Sequence, residues 1–121
     1  MKNILIIDDS VSIRKEIRKI LKSVGGIKVV GEAAEPVEAL KLYEAHKPDI
    51  IILDIDLKDG NGIDVLAQIR SSEKKVIIIM FTNYFNAAFQ KASERLGANY
   101  FLDKTNDVDK LINIMKELAH R

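Results

Sequence analysis

Three stretches of the chain are apolar at every position: Ile4–Ile7, Ile50–Leu53 and Val76–Met80. Short continuous runs of mostly β-branched residues make strands covered on both faces, as in a parallel sheet packed between helices. Two weaker runs, Lys28–Ala33 with Gly31 inside it and Asn99–Leu102, read as edge strands of the same sheet. Between the runs the apolar spacing becomes helical. Ile13, Ile17, Ile20, Leu21 and Val24 share one face, closed by Gly25-Gly26. Pro36 opens a second helix carrying Leu40 and Tyr43, and Pro48 closes it. Ile63, Leu66 and Ile69 form a third stripe; Phe85, Ala88, Phe89, Ala92 and Leu96 form a fourth, ended by Gly97. Val108, Leu111, Ile112, Met115 and Leu118 form the last, entered through Thr105-Asn106-Asp107 as N-cap chemistry. Strands alternating with helices in this way predict an α/β fold whose parallel sheet is joined by right-handed crossovers.

The length, 121 residues, suits one domain spanning 1–121. The absence of cysteine excludes disulfides, iron–sulfur clusters, thiolate zinc sites and thiol nucleophiles, and it fits a reducing cytoplasm. Lys+Arg number 19 against 18 Asp+Glu, a net charge of +1, which argues against nucleic acid as a partner. The longest apolar run, Val76–Phe81, is six residues, far short of a membrane span. Only four apolar residues, Ile4–Ile7, follow Lys2, too few for a signal peptide. The expectation is a soluble, cytoplasmic domain with no membrane partner.

In a parallel sheet all C-terminal strand ends lie along one edge, where ligands bind. Asp8 and Asp9 follow the first run, Asp54 the third-strand run, Thr82 the fourth, and Lys104 the fifth. Singly, each has an ordinary explanation: Asp9 or Ser10 as a helix cap, Asp54 as a turn acid, Thr82 as a strand residue, Lys104 as a surface lysine. Together they place three carboxylates, a hydroxyl and an ammonium on one rim. Acids so close repel one another unless a cation sits among them. Magnesium, a hard ion held by carboxylates, waters and phosphate, is the natural choice, with manganese as its alternative; calcium lacks a loop of EF-hand spacing. A carboxylate beside a metal is also a nucleophile toward phosphorus, and a lysine and a hydroxyl supply donors for the phosphoryl oxygens.

These residues and the segments around them (ILIIDDS, PDIIILDIDLKDGNGIDVL, VIIIMFTNY and GANYFLDK) make the chain similar, over nearly its whole length, to the receiver domain of two-component response regulators. The resemblance implies a flavodoxin-like (βα)5 three-layer sandwich with strand order 2-1-3-4-5. It implies that Asp54 is the phosphoacceptor and that Asp8, Asp9, Asp54 and the backbone carbonyl of Asp56 hold Mg²⁺. Thr82 becomes the switch hydroxyl, Lys104 the phosphoryl-binding lysine, and Phe101 the aromatic switch residue; Asp56, Asn83 and Tyr84 flank the site. A histidine kinase or histidine phosphotransfer protein would be the donor and a downstream protein the target, with a homodimer as a further outcome of phosphorylation. The domain would catalyse its own phosphoryl transfer and slow dephosphorylation rather than act as an enzyme on a separate substrate. Because the chain ends after the fifth helix, the expectation is a standalone receiver.

The sequence also departs from the family pattern. Lys58 stands where the family has proline four residues after the acceptor, and Thr105 replaces the proline that follows the lysine through a cis peptide. A cis bond ahead of Thr105 would cost ~3–4 kcal/mol, so a trans link is expected. Asn83 is larger than the small residue usual after the switch hydroxyl, and Phe101 replaces the common tyrosine. His46 and His120 lie off the rim, which leaves no Ser–His–Asp triad. The Gly60-Asn61-Gly62 turn is not a phosphate-cradling loop. The basic run Arg14, Lys15, Arg18, Lys19 and Lys22 reads as a solvated face, which in receivers docks the phosphodonor; Phe85, Phe89 and Phe101 lie in the family's output region. Two other functions compete: a degenerate, phosphorylation-independent receiver-like module, and a haloacid-dehalogenase-like phosphatase using Asp54-Ile55-Asp56 as its D-x-D. Lys58 and the mid-chain position of the motif weigh against the phosphatase.

Overall fold

Ile4, Leu5, Ile6 and Ile7 are fully shielded from solvent, because their strand runs through the middle of a sheet with helices on both sides. The structure is a computed structural model that describes residues 1–121. Five strands, β1 (Lys2–Ile7), β2 (Ile27–Ala33), β3 (Ile50–Leu53), β4 (Ile77–Thr82) and β5 (Tyr100–Asp103), form one parallel sheet in the order β2-β1-β3-β4-β5. Five helices alternate with them: α1 (Val11–Val24), α2 (Pro36–His46), α3 (Gly62–Ser72), α4 (Ala87–Arg95) and α5 (Val108–Ala119). A two-residue hairpin pairs Asp56–Leu57 with Gly60–Asn61 between β3 and α3.

Alternate strand residues feed two separate cores. Leu5, Ile7, Ile51, Leu53, Ile78 and Met80 pack with Ala39 and Tyr43 of α2 and Val65, Leu66 and Ile69 of α3. Ile4, Ile6, Ile50, Ile52, Ile79 and Phe81 pack with Ile17 and Leu21 of α1 and Leu111, Met115 and Leu118 of α5. Burial of one such aliphatic side chain is worth about 1.5–3 kcal/mol, so both faces of the sheet hold the fold together. The result is the flavodoxin-like three-layer sandwich, and β2 and β5 are its edges as expected. Gly31 marks a register slip, with Ile4 opposite Val29 but Leu5 opposite Gly31. A Cβ there would sit 3.2 Å from Leu5 Cδ1 and 3.3 Å from Leu42 Cδ1.

Two local expectations are corrected. The fourth helix starts at Ala87, later than the Phe85 stripe implied, because the Asn86 side chain caps it by accepting from the Phe89 N–H at 2.9 Å. Phe85 therefore precedes the helix, Ala88 is exposed, and the packed face carries Phe89, Ala92, Ser93 and Leu96. At α5, Asp107 holds the N-cap position but caps nothing with its carboxylate. That group turns back to accept the Asp103 N–H at 2.9 Å.

Candidate functional site

β1, β3, β4 and β5 deliver Asp8, Asp54, Thr82 and Lys104 to one edge of the sheet. Asp8, Asp54 and Thr82 are buried there. Lys104 Nζ lies 2.7 Å from Asp8 Oδ2 and 2.8 Å from Asp54 Oδ2, with only 7% of its side chain exposed. The remaining carboxylate oxygens are held by backbone. Asp8 Oδ1 accepts the Ser10 N–H at 2.9 Å, and Asp54 Oδ1 accepts the Ile55 N–H at 2.7 Å. Ser10 caps α1, its hydroxyl accepting the Ile13 N–H at 3.2 Å. One short turn thus orients Asp8 inward, starts the helix, and leaves Asp9 exposed at the rim.

Ligand oxygens of Asp8, Asp9 and Asp54 lie within 4.8 Å of one another. With three carboxylates against one ammonium, the cluster keeps a negative excess. Burial pushes the Asp8 carboxyl above its ordinary value; the hydrogen bonds from Lys104 and Ser10 and the charge of Lys104 pull the other way, while the charge of Asp54 adds to the rise. Burial by itself would lower the Lys104 ammonium, yet the hydrogen bonds and the charges of Asp54 and Asp8 together outweigh it and the net displacement is upward. An all-oxygen, anionic donor set on one rim suits a hard divalent cation such as Mg²⁺ and offers nothing to a thiophilic one.

The flanking residues arrange themselves around this centre. Thr82 Oγ1 accepts the Tyr84 N–H at 3.1 Å, and the Thr82 carbonyl accepts the Lys104 N–H at 3.0 Å. Tyr84 OH reaches toward Asp56 Oδ2 at 3.4 Å, so these two flanking side chains meet beside the end of β3. Asn83 is exposed at the rim. Phe101 is half-buried and stacked on Phe85, with ring centroids 5.4 Å apart. His46 and His120 are exposed, away from the rim.

Both missing prolines have a structural counterpart. The Lys58 N–H donates to the Ala34 carbonyl at 3.0 Å, a bond proline has no hydrogen to make. No peptide bond is cis, so the link to Thr105 is trans as expected. The loop after Lys104 is braced by side chains instead. The Asp103 carboxylate accepts the Thr105 N–H at 3.0 Å and Asn106 Nδ2 at 2.9 Å, while Asp107 returns to the Asp103 N–H.

Two residues shape the site without having been singled out for it. Gly62 N–H donates to the Ile55 carbonyl at 2.7 Å, and a Cβ on Gly62 would fall 1.9 Å from the Asp54 carbonyl oxygen. Only glycine lets the hairpin return this close to the Asp54 backbone. Arg14 does not belong to the solvated face read from the basic run. Its Nη1 donates to the Asp8 carbonyl at 2.6 Å and its Nε to Glu32 at 3.2 Å, and Glu32 also takes Arg18. The i, i+4 spacing of Arg14 and Arg18 was visible in the sequence; their shared acid on β2 was not. Lys15, Lys19 and Lys22 do face solvent. No helix is long and apolar enough to cross a membrane.

Comparison with known proteins agrees with this geometry. Residues 4–116 match the response regulator receiver domain family. Chemotaxis protein CheY of Listeria monocytogenes is 31% identical over 119 residues, covering 98% of this chain and 99% of that protein. Response regulator UvrY of Escherichia coli is 30% identical over 98% of this chain, which spans 54% of the longer protein. The Borrelia burgdorferi CheX–CheY–BeF3–Mg complex contains a chain 30% identical to this one, with a TM-score of 0.89 and coverage of 97% of this chain and 88% of that one. This chain therefore belongs to the receiver-domain family of response regulators.

Proposed function

We propose that residues 1–121 act as one receiver unit that takes a phosphoryl group onto Asp54 from the phosphohistidine of a histidine kinase or phosphotransfer protein in the cytoplasm, and then engages a partner protein. The observation that carries this reading is the Lys104 ammonium held between Asp8 and Asp54 at 2.7 and 2.8 Å inside a three-carboxylate cluster. In the transfer, an Asp54 carboxylate oxygen forms the new P–O bond as the P–N bond breaks. The bonding pair leaves with the imidazole, which takes up a proton from solvent.

Asp8, Asp9, Asp54 and the backbone carbonyl of Asp56 are the groups to hold Mg²⁺, or Mn²⁺ in its place. Held there, the ion would supply positive charge against the phosphoryl oxygens. Both Asp54 oxygens are engaged in the unmodified protein, one by Lys104 and one by the Ile55 N–H. Each oxygen keeps a second lone pair to offer phosphorus, and Lys104 gives up Asp54 Oδ2 as the phosphoryl group arrives. The freed ammonium is then placed to bind a phosphoryl oxygen. Thr82 gives up its Tyr84 N–H contact when its hydroxyl turns to the same group. That withdrawal reaches Phe101 through the Tyr84–Phe85 loop, because Phe85 is the ring on which Phe101 stacks. The result is a two-state element biased by local electrostatics. The CheX complex of the Borrelia relative supports a protein as the reader of that state.

Intact-mass measurement after incubation with acetyl phosphate tests the chemistry. One phosphoryl adduct, dependent on Mg²⁺, base-labile and absent from Asp54→Asn, is expected. A folded, cation-binding protein that gains no adduct from either acetyl phosphate or a phosphorylated kinase would instead be a degenerate, phosphorylation-independent module.

A further inference from the structure

The largest cavity of the molecule, about 420 Å³, lies beside the acceptor between α3 and α4. Its floor is apolar: Ile55, Ile63, Phe89 and Ala92. Its rim carries two carboxylates, Asp56 and Asp64, both exposed, and no cationic side chain lines it. The two acids are not equivalent. Asp64 lies in the first turn of α3, where the helix dipole offsets part of its charge, and Asn61 Nδ2 donates to it at 3.1 Å. Asp56 has only the Tyr84 hydroxyl, at 3.4 Å. Tyr84 is 46% exposed, and its ring meets Phe89 edge-on with centroids 5.9 Å apart.

An apolar trough with an anionic lip and an accessible aromatic ring complements a cation on an apolar stem. Guanidinium suits it better than ammonium, since it is more weakly hydrated, lies flat on an aromatic ring and forks onto a carboxylate. We propose that this groove docks a segment of a partner protein carrying an arginine next to branched aliphatic residues, with the guanidinium on Asp56 and Tyr84 and the aliphatic neighbour on Ile63 and Phe89. A protein is favoured over a free amine by the position of the groove. Ile55 and Asp56 follow Asp54 directly, and the Tyr84 N–H holds the Thr82 hydroxyl. A segment seated here touches both loops that carry the site's chemistry, so its affinity changes when Thr82 lets go of Tyr84. The proposal names the partner chemistry of the receiver reading and rests on it for its purpose, but its test needs no phosphorylation.

The probe is a capped Leu-Arg-Leu tripeptide titrated into the ¹⁵N-labelled full chain in EDTA. Saturable amide shifts are expected at Ile63, Tyr84 and Phe89. Replacing arginine by its neutral isostere citrulline, or Asp56→Asn in a protein whose spectrum shows it folded, should weaken binding about two- to fivefold, the range of an exposed ion pair. Equal binding of the citrulline peptide, shifts confined to other faces, or indifference to Asp56→Asn would overturn the proposal. So would n-hexylamine binding as tightly as the peptide, because the occupant would then be a small amine. Such failures would leave an acetyl phosphate adduct on Asp54 untouched, so the two readings fail separately.

Discussion

Neutralising Asp9 should make the protein more stable without divalent cation and less stable with it. Asp9 is exposed, and no hydrogen bond of the fold depends on its carboxylate. Its neighbours are Asp8, Asp54 and the Lys104 that bridges them, a net charge of −1 facing it. At 4.8 Å two unit charges repel by about 0.9 kcal/mol at the dielectric of water and about 3.5 kcal/mol at an effective value of 20. The rim is wet, so the lower end applies. Against this stands the α1 N-terminus, which favours a nearby acid by about 0.3–1 kcal/mol within its first turn. Asp9 precedes the cap Ser10, outside that turn, and receives only a fraction of this. The repulsion wins, leaving Asp9→Asn about 0.6–0.8 kcal/mol more stable, or about 2–4 °C in melting temperature for a domain of this size.

Magnesium is expected to reverse the order. At a hundred times its dissociation constant a ligand stabilises the folded state by about 2.7 kcal/mol, and a variant without one of the three carboxylates loses most of that. Thermal unfolding by circular dichroism, run on both proteins in EDTA and in excess Mg²⁺, reads all four combinations. The two curves must cross between conditions. A variant that melts below wild type in EDTA would show that Asp9 is held by attraction and refute the charge argument. A variant as strongly stabilised by Mg²⁺ as wild type would remove Asp9 from the ligand set.

Removing the bridging ammonium acts in the opposite direction: Lys104→Met leaves two buried carboxylates uncompensated and should cost about 3 kcal/mol in EDTA, seen as a lower melting temperature partly restored by Mg²⁺. Asp8, whose folded value lies above 3.8, favours the fold in its protonated form, so its contribution is present below about 3.8 and is lost as pH rises through the raised value. The stability of Asp8→Asn relative to wild type in EDTA should therefore rise from pH 4 to pH 7, and a constant difference would contradict the assignment. Gly62→Ala drives a methyl into the Asp54 carbonyl and should cost about 1–3 kcal/mol, whereas Gly60→Ala meets the Pro36 ring at 2.6 Å, a shallower overlap with ring carbons rather than with backbone. Urea titration should rank Gly62→Ala as the more damaging of the pair. Arg14→Gln releases the Asp8 carbonyl and should weaken Mn²⁺ binding, read by paramagnetic broadening, while the exposed Lys15→Gln leaves it unchanged.

Much of this architecture was legible because the determining signals are local. A run such as Ile50–Leu53 can be satisfied only with both faces covered, and once the strand is placed, Asp54 must emerge at its C-terminal end. The same logic positions Asp8, Thr82 and Lys104, and it explains why the strands and the charged rim were read together. Helix starts were less secure, because side-chain caps compete with apolar spacing. Asn86 overrode the Phe85 stripe, and Asp107 stood at the expected position yet bonded to the strand behind it.

What stayed hidden depends on contacts between distant segments, and the glycine and the arginine show why. Nothing in Gly60-Asn61-Gly62 says which backbone it will approach; the need for glycine arises only when the hairpin folds back onto Asp54. Arg14 looks like its solvated neighbours until β2 places Glu32 opposite Ile6, beside β1 and within reach of α1. The lost prolines extend the point. A family motif encodes one way of stiffening a loop, and this chain reaches the same end through the Lys58 N–H and the Asp103–Asp107 brace. These bonds tether the loops that follow Asp54 and Lys104 through groups other than a proline ring. Departures from a motif at such bracing positions therefore say little against the proposed chemistry, whereas a change at Asp54 or Lys104 would remove a group that the proposed transfer uses.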